Sequence, residues 1–132
     1  MQKEPYKYFA IILFILTISF SNSTMAQEKN QMFRLAKITV DPLKLAEYNM
    51  ALKEQMTTAV RVEKGVLTYY AVADKKDLSH ITILEIYADT AAYKLHIETA
   101  HFKKYKETVK DMVKALELVD VNLIGAAKKA EK

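Results

Sequence analysis

From Met32 onward the apolar residues change their spacing from two to three or four and back again, and the order of those changes leaves few folds open. Residues 32–40 alternate, with Met32, Arg34, Ala36, Ile38 and Val40 on one side and Phe33, Leu35, Lys37 and Thr39 on the other. Asp41-Pro42 is a helix cap followed by a proline in the first turn. Leu45, Tyr48, Leu52, Met56 and Ala59 then recur every three or four residues and predict one face of a long helix over 43–62. Lys64-Gly65 closes it, with glycine expected in a left-handed turn.

Residues 66–73 and 80–87 are rich in β-branched and aromatic side chains, and the polar Asp74-Lys-Lys-Asp77 between them predicts an antiparallel hairpin. Asp89-Thr90 opens a short helix containing Ala92, Tyr93 and His96. A second helix starts near Thr99 and carries Phe102, Tyr105, Val109, Met112 and Leu116 on one stripe, and residues 119–124 form a last strand before Gly125. The order is βαββαβ with the second helix broken. That is a ferredoxin-like α+β sandwich, in which helices cover one face of a four-stranded antiparallel sheet.

The start of the chain has a different character. Lys3 and Lys7 precede a run at 9–20 that is apolar except for Thr17 and Ser19, and small residues lead to Ala26. This is the order of a secretory signal cleaved after residue 26, and the run is short for a bilayer span of about 20 residues. The expectation is export to the periplasm or beyond, with no stable membrane insertion after cleavage. The mature chain then divides into a short lead at 27–31, one domain at 32–125 and a basic tail at 126–132. The chain has no cysteine, so neither a lipid-bearing cysteine nor a disulfide is available. Without Lys3, Glu4 and Lys7 the formal charge of +4 becomes +3, with acidic residues interspersed among the lysines. Such a balance argues for a solvated surface and against a nucleic-acid partner.

Both faces of the strands are apolar. Leu67, Tyr69 and Ala71 oppose Val66, Tyr70 and Val72, and Ile81 and Ile83 oppose Leu84 and Ile86. Helices hide only one face, and a second face of this kind is larger than a monomer usually leaves in water. A homodimer paired through its sheets would cover it, with room for a cavity between the sheets.

The residues with chemistry gather between Glu85 and Phe102. His96 and His101 lie five residues apart, about 140° around a continuous helix. A break capped by Thr99 would let them converge, as a proton-transfer pair or as a half-buried polar residue and a helix-start residue. His96, Glu98 and His101 have zinc-ligand chemistry without the spacing of a helical HExxH site, and no metal is expected. Glu85 either orients an imidazole, pairs with Arg34 or Arg61, or stands at the sheet rim. Tyr69, Tyr70, Tyr87 and Tyr93 are suited to stacking on a planar ligand or to ordinary packing. The chain has no glycine-rich phosphate loop, no serine elbow and no haem-attachment motif.

Glu63-Lys-Gly65-Val-Leu67-Thr-Tyr69, then Glu85-Ile-Tyr87-Ala-Asp89 leading to Ala92, His96 and Thr99-Ala-His101-Phe102, resemble the antibiotic biosynthesis monooxygenase family, including its small quinol monooxygenase type. The resemblance spans about residues 32–123. It implies a dimeric α+β barrel and the oxidation of a hydroquinone, anthrone or related phenol by dioxygen without a cofactor. It further implies His96 and His101 as catalytic residues and Tyr69, Tyr87 and Glu85 as substrate contacts. Two other readings accompany it: an exported dimer that binds a small aromatic metabolite or partner without turnover, and haem binding or degradation. Haem-degrading members place an axial histidine farther along the last helix, where this chain reads Lys103-Lys-Tyr105-Lys106, leaving Tyr105 as the conceivable iron ligand.

Overall fold

The computed structural model describes residues 30–130, so the export segment expected at 1–26 lies outside the described residues. Strand β1 (Met32–Val40) leads through a short 3-10 turn (Pro42–Lys44) into helix α1 (Leu45–Val62). Strands β2 (Val66–Ala73) and β3 (His80–Tyr87) come next. Helices α2 (Thr90–His96) and α3 (Ala100–Val109) then return the chain to β4 (Val113–Val121). The sheet order is β2-β3-β1-β4 and every pairing is antiparallel, the ferredoxin-like α+β arrangement. None of the helices described is long and apolar enough to cross a membrane.

Side-chain parity decides which face meets the helices. Ala36, Ile38 and Val40 from β1, with Ile81 and Ile83 from β3, pack against Tyr48 and Leu52 of α1 and Val109 of α3. Burial of such side chains contributes about 1.5–3 kcal/mol each. The opposite face carries Leu35, Leu84 and Ile86, half-buried, and Tyr70 and Val72, which are 56% and 63% exposed. Cross-strand pairing of Leu84 with both Leu35 and Tyr70 makes this face continuous.

Two expectations need correcting. Helix α3 stops at Val109, so Met112 and Leu116 are not on its stripe, and β4 starts six residues earlier than the alternation near 119 suggested. The spacing of Val109, Met112 and Leu116 fits a helix, but residues 113–121 are rich in valine and leucine, and pairing with β1 from Val40 to Phe33 makes them a strand. Gly65 is not in a left-handed turn, for no described glycine has a positive φ. Its missing side chain matters for another reason: a Cβ there would lie 2.4 Å from Ala92 Cβ, so glycine lets α2 seat against the turn between α1 and β2.

Candidate functional site

Strand register sets a row of polar residues across the helix-covered face. Asp120 of β4 pairs with Arg34 of β1, Arg34 with Glu85 of β3, and Glu85 with Tyr69 of β2. Tyr87, two residues beyond Glu85, points the same way. Above this row a cavity of about 330 Å³ opens between sheet and helices, lined by Arg34, Tyr69, Glu85, Tyr87, Phe102 and Tyr105 among others. Its size is within the range of small-molecule sites. The cavity therefore lies inside one chain, on the face opposite to the one where paired sheets would enclose it.

Two contacts hold the Arg34 guanidinium. Its Nε donates to Asp120 Oδ1 at 2.7 Å, and its Cζ lies 4.2 Å above the Tyr93 ring centroid. The Asp120 hydrogen bond outweighs burial and keeps the guanidinium more firmly protonated than usual.

A chain of hydrogen bonds runs from the cavity to the outside of the helices. Tyr87 Oη lies 2.8 Å from Glu85 Oε2 and 2.7 Å from Tyr69 Oη. Tyr69 Oη is 2.9 Å from His96 Nε2, beside which the Gln55 amide stands at 3.2 Å. The other nitrogen of the ring, Nδ1, is 2.9 Å from Glu63 Oε1, and the same oxygen meets His101 Nε2 at 2.5 Å. His96 is fully buried, whereas the His101 side chain is 22% exposed.

Local sequence puts each part in place. Asp89 Oδ1 accepts from the Ala92 amide at 2.7 Å and fixes the start of α2, whose last residue is His96. Thr99 donates its hydroxyl to the His96 carbonyl at 2.7 Å and caps α3, so the chain turns between the two histidines. Glu63 follows the last turn of α1 in extended backbone, which brings its carboxylate to both imidazoles. On α1 the buried residues are Tyr48, Leu52, Gln55 and Ala59, so Gln55 holds a core position.

Burial governs the protonation of the cavity groups. It raises the Glu85 carboxyl above its ordinary 4.5 despite the Tyr87 hydrogen bond and the Arg34 charge, and it raises the phenols of Tyr69, Tyr87 and Tyr105 as well. It lowers His96 below its ordinary 6.5, because the desolvation of an imidazolium outweighs the support of Glu63. The groups are thus biased towards a neutral carboxyl, neutral phenols and a neutral imidazole.

Comparison with known proteins fits this arrangement. The family model described as antibiotic biosynthesis monooxygenase matches residues 32–108. The chain belongs to the antibiotic biosynthesis monooxygenase family. A solved structure from Bacteroides thetaiotaomicron VPI-5482, named "putative antibiotic biosynthesis monooxygenase", is 53% identical, with TM-score 0.75 over 79% of this chain and 99% of that one. A "putative monooxygenase" from Lactobacillus acidophilus NCFM is 29% identical, with TM-score 0.67 over 67% of this chain, which spans 42% of that longer protein. A third, from Nitrosomonas europaea, is 19% identical with TM-score 0.68 over 72% of this chain and 91% of that one, and supports the fold. The search of curated proteins returned no match.

Within this family frame, Tyr69, Tyr87 and Glu85 reach the cavity. His96 and His101 do converge, through Glu63, but His96 is one hydroxyl removed from the cavity lining, and His101 borders a shallow depression outside it with Glu54 and Lys104. His80 is apart from the site and pairs with Asp77 in the β2–β3 turn at 2.9 Å. Sequence reasoning assigned no role to Glu63 or Gln55. A polar residue on the buried stripe of α1 was the available signal for Gln55, while Glu63 gave none beyond its place in the family motif. Glu98 is not part of the cluster and pairs with Lys103 at the surface.

Glu63, His96 and His101 have ligand-type atoms within 4.8 Å of one another. Both imidazoles address a single carboxylate oxygen at hydrogen-bond spacing, and we read the trio as a hydrogen-bonded triad. Tyr105 is poorly suited to bind haem iron as a tyrosinate: its hydroxyl is 2.8 Å from that of Tyr48, and burial raises its phenol further.

Proposed function

We propose that the cavity binds an electron-rich phenol, a hydroquinone or anthrone, and that the protein catalyses its oxidation by dioxygen with the substrate itself as the source of electrons. For a hydroquinone the balance is simple. One oxygen atom enters the ring, the other leaves as water, and the ring gives up four electrons to become a hydroxyquinone. Loss of the phenolic proton comes first, because a phenolate gives an electron to dioxygen far more readily than a phenol. The resulting radical pair combines to a ring peroxide, whose O–O bond breaks with proton delivery.

The observation that carries this reading is an aromatic cavity in which Glu85 is the carboxyl beside a tyrosine pair, with Arg34 as its cross-strand neighbour. Arg34 suits the charge of a forming phenolate. Tyr69, Tyr87 and Phe102 suit a flat ring, and Glu85 suits exchange of its proton. In this assignment His96 and His101 act from behind the tyrosines. The face with Leu35, Tyr70, Val72, Leu84 and Ile86 supports a homodimer joined through the sheets, which leaves each cavity within its own protomer.

The test is oxygen uptake with menadiol and a panel of hydroquinones and anthrones, measured against buffer on protein with assayed metal and flavin content. Acceleration is expected in metal-free, flavin-free protein, with a drop of about 10²-fold or more in Glu85→Gln. Binding of the aromatic ring without any acceleration would replace this reading with that of a carrier.

A further inference from the structure

Three links join Glu85 to His96: carboxyl to Tyr87 at 2.8 Å, Tyr87 to Tyr69 at 2.7 Å, and Tyr69 to His96 Nε2 at 2.9 Å. Each link needs one hydrogen between its two heavy atoms. Two neutral tyrosines supply two hydrogens, so the third comes from one end of the chain. It sits either on the Glu85 carboxyl, with every link directed towards His96, or on His96 Nε2, with every link directed towards Glu85. His96 Nδ1 donates to Glu63 in both arrangements.

We propose that Glu85 and His96 share this one mobile proton, and that Tyr87 and Tyr69 relay it, so that a phenolic proton given up in the cavity is balanced by an imidazolium at His96. The proposal rests on the phenol-oxidising reading for its substrate, while the shared proton follows from the hydrogen count along the three links, with the Gln55 amide presenting its nitrogen to a bare Nε2 and its oxygen to a protonated one.

Atoms and charge balance in this step. The Glu85 O–H breaks as Tyr87 gains a hydrogen, Tyr87 passes its own to Tyr69, and Tyr69 passes its own to His96 Nε2. Both tyrosines end neutral, Glu85 is a carboxylate and His96 an imidazolium. Glu85 then takes the phenolic proton, leaving a phenolate in the cavity and the positive charge on His96 beside Glu63. When the peroxide breaks down, Glu85 delivers a proton to the departing oxygen and the links reverse.

The surroundings favour this exchange. His96 is faced by Glu63 after the end of α1 and His101 from α3, with the uncharged Gln55, Tyr69, Tyr87 and Phe102 around it. Glu85 is faced by Arg34 from β1, itself bonded to Asp120 of β4, and by Tyr69, Tyr87 and Tyr105, with Lys106 of α3 and Lys110 just after it in the cavity wall. Burial, which raises the carboxyl and lowers the imidazole, keeps the proton on Glu85 in the resting site, so that His96 takes it up when a phenolic proton is released.

The test tracks the His96 ring nitrogens and the Glu85 carboxyl carbon by isotope-labelled NMR through a pH titration of the full protein without substrate. In the wild type both signals are expected to move in the same macroscopic steps. Tyr87→Phe, which removes one hydroxyl from the chain, is expected to separate them, and Tyr69→Phe cuts the chain one link further on should the first variant fail to fold. Separate steps in the wild type, or common steps that survive both substitutions, overturn the proposal.

Addition of para-nitrophenol then separates the two readings. Bound as the coloured phenolate with His96 turning to imidazolium, and without that change at His96 in Tyr87→Phe, it supports both. Bound with His96 unchanged in the wild type, it overturns the relay. Failure to bind with the common titration intact supports the shared proton and counts against phenol oxidation.

Discussion

Glu63 shows how one side chain can organise a site that its neighbours in sequence do not announce. Its Oε1 is the acceptor for two imidazoles that a helix break has turned towards each other, and His96 is thereby oriented with Nε2 towards the tyrosines. The histidines were recognisable in the sequence because imidazole is rare and reactive. Glu63 was not, because an acidic residue after a helix reads as a solvated charge. The buried state of His96 has a consequence for stability. An unfolded chain restores the imidazole to its ordinary 6.5, whereas burial lowers it in the fold. Below that value the unfolded state therefore binds more protons, and the stability that is full above 6.5 is lost as pH falls through the folded value. Glu85 works in the opposite sense: its raised carboxyl contributes fully below 4.5 and loses that contribution as pH rises through its folded value. Comparison with a variant isolates the histidine. Between about pH 7 and about pH 5 the wild type is expected to lose more stability than His96→Gln, as read from urea midpoints. Equal losses would remove His96 as the source.

Helix α2 has only seven residues, too few to be stable without contacts, so its position depends on its ends and its neighbours. Asp89 caps one end, and Gly65 lets the helix approach closely enough to bury His96. Gly65→Ala would set two methyl carbons 2.4 Å apart, with the Ala92 Cα also 3.4 Å from the new Cβ, and neither partner is a flexible chain end. Overpacking of this kind costs about 1–3 kcal/mol. The expected result is a lower melting temperature with His96 less protected, and Gly65→Ala with Ala92→Gly should be more stable than Gly65→Ala alone. An unchanged melting temperature in the single variant would mean that α2 moves freely. Elements of this kind were readable where chemistry marks them, as with the caps at Asp41, Asp89 and Thr99. The end of α3 was not, since Val109, Met112 and Leu116 fit helical spacing until β1 supplies a partner strand. For Gly65 the sequence showed the residue but not the reason, because the reason is a helix more than twenty positions away.

At the scale of the molecule the two faces of the sheet have separate tasks. One face with the helices builds the cavity, and its polar row is a product of register across all four strands, which no single segment of sequence displays. The other face needs a cover. Tyr70, Leu84, Leu35 and Val119 are successive cross-strand partners, so the apolar surface crosses the whole sheet, and Val72 adds to it at 63% exposure. A second copy would supply the complementary surface without requiring another protein, because a twofold axis brings the same apolar row to itself. Leu84 lies on β3, a central strand of the sheet, with neighbours on both sides. Leu84→Lys would put two like charges into such an interface, one from each protomer, and is expected to weaken association by at least ~2 kcal/mol, about thirtyfold. Its backbone hydrogen bonds and the helix-facing core are untouched by the change. Light scattering on size-exclusion fractions should give a dimer for the wild type at micromolar concentration and a shift towards monomer for Leu84→Lys, with an unchanged far-ultraviolet circular dichroism spectrum for the variant. A wild-type monomer at that concentration would require the sheet face to be covered in some other way.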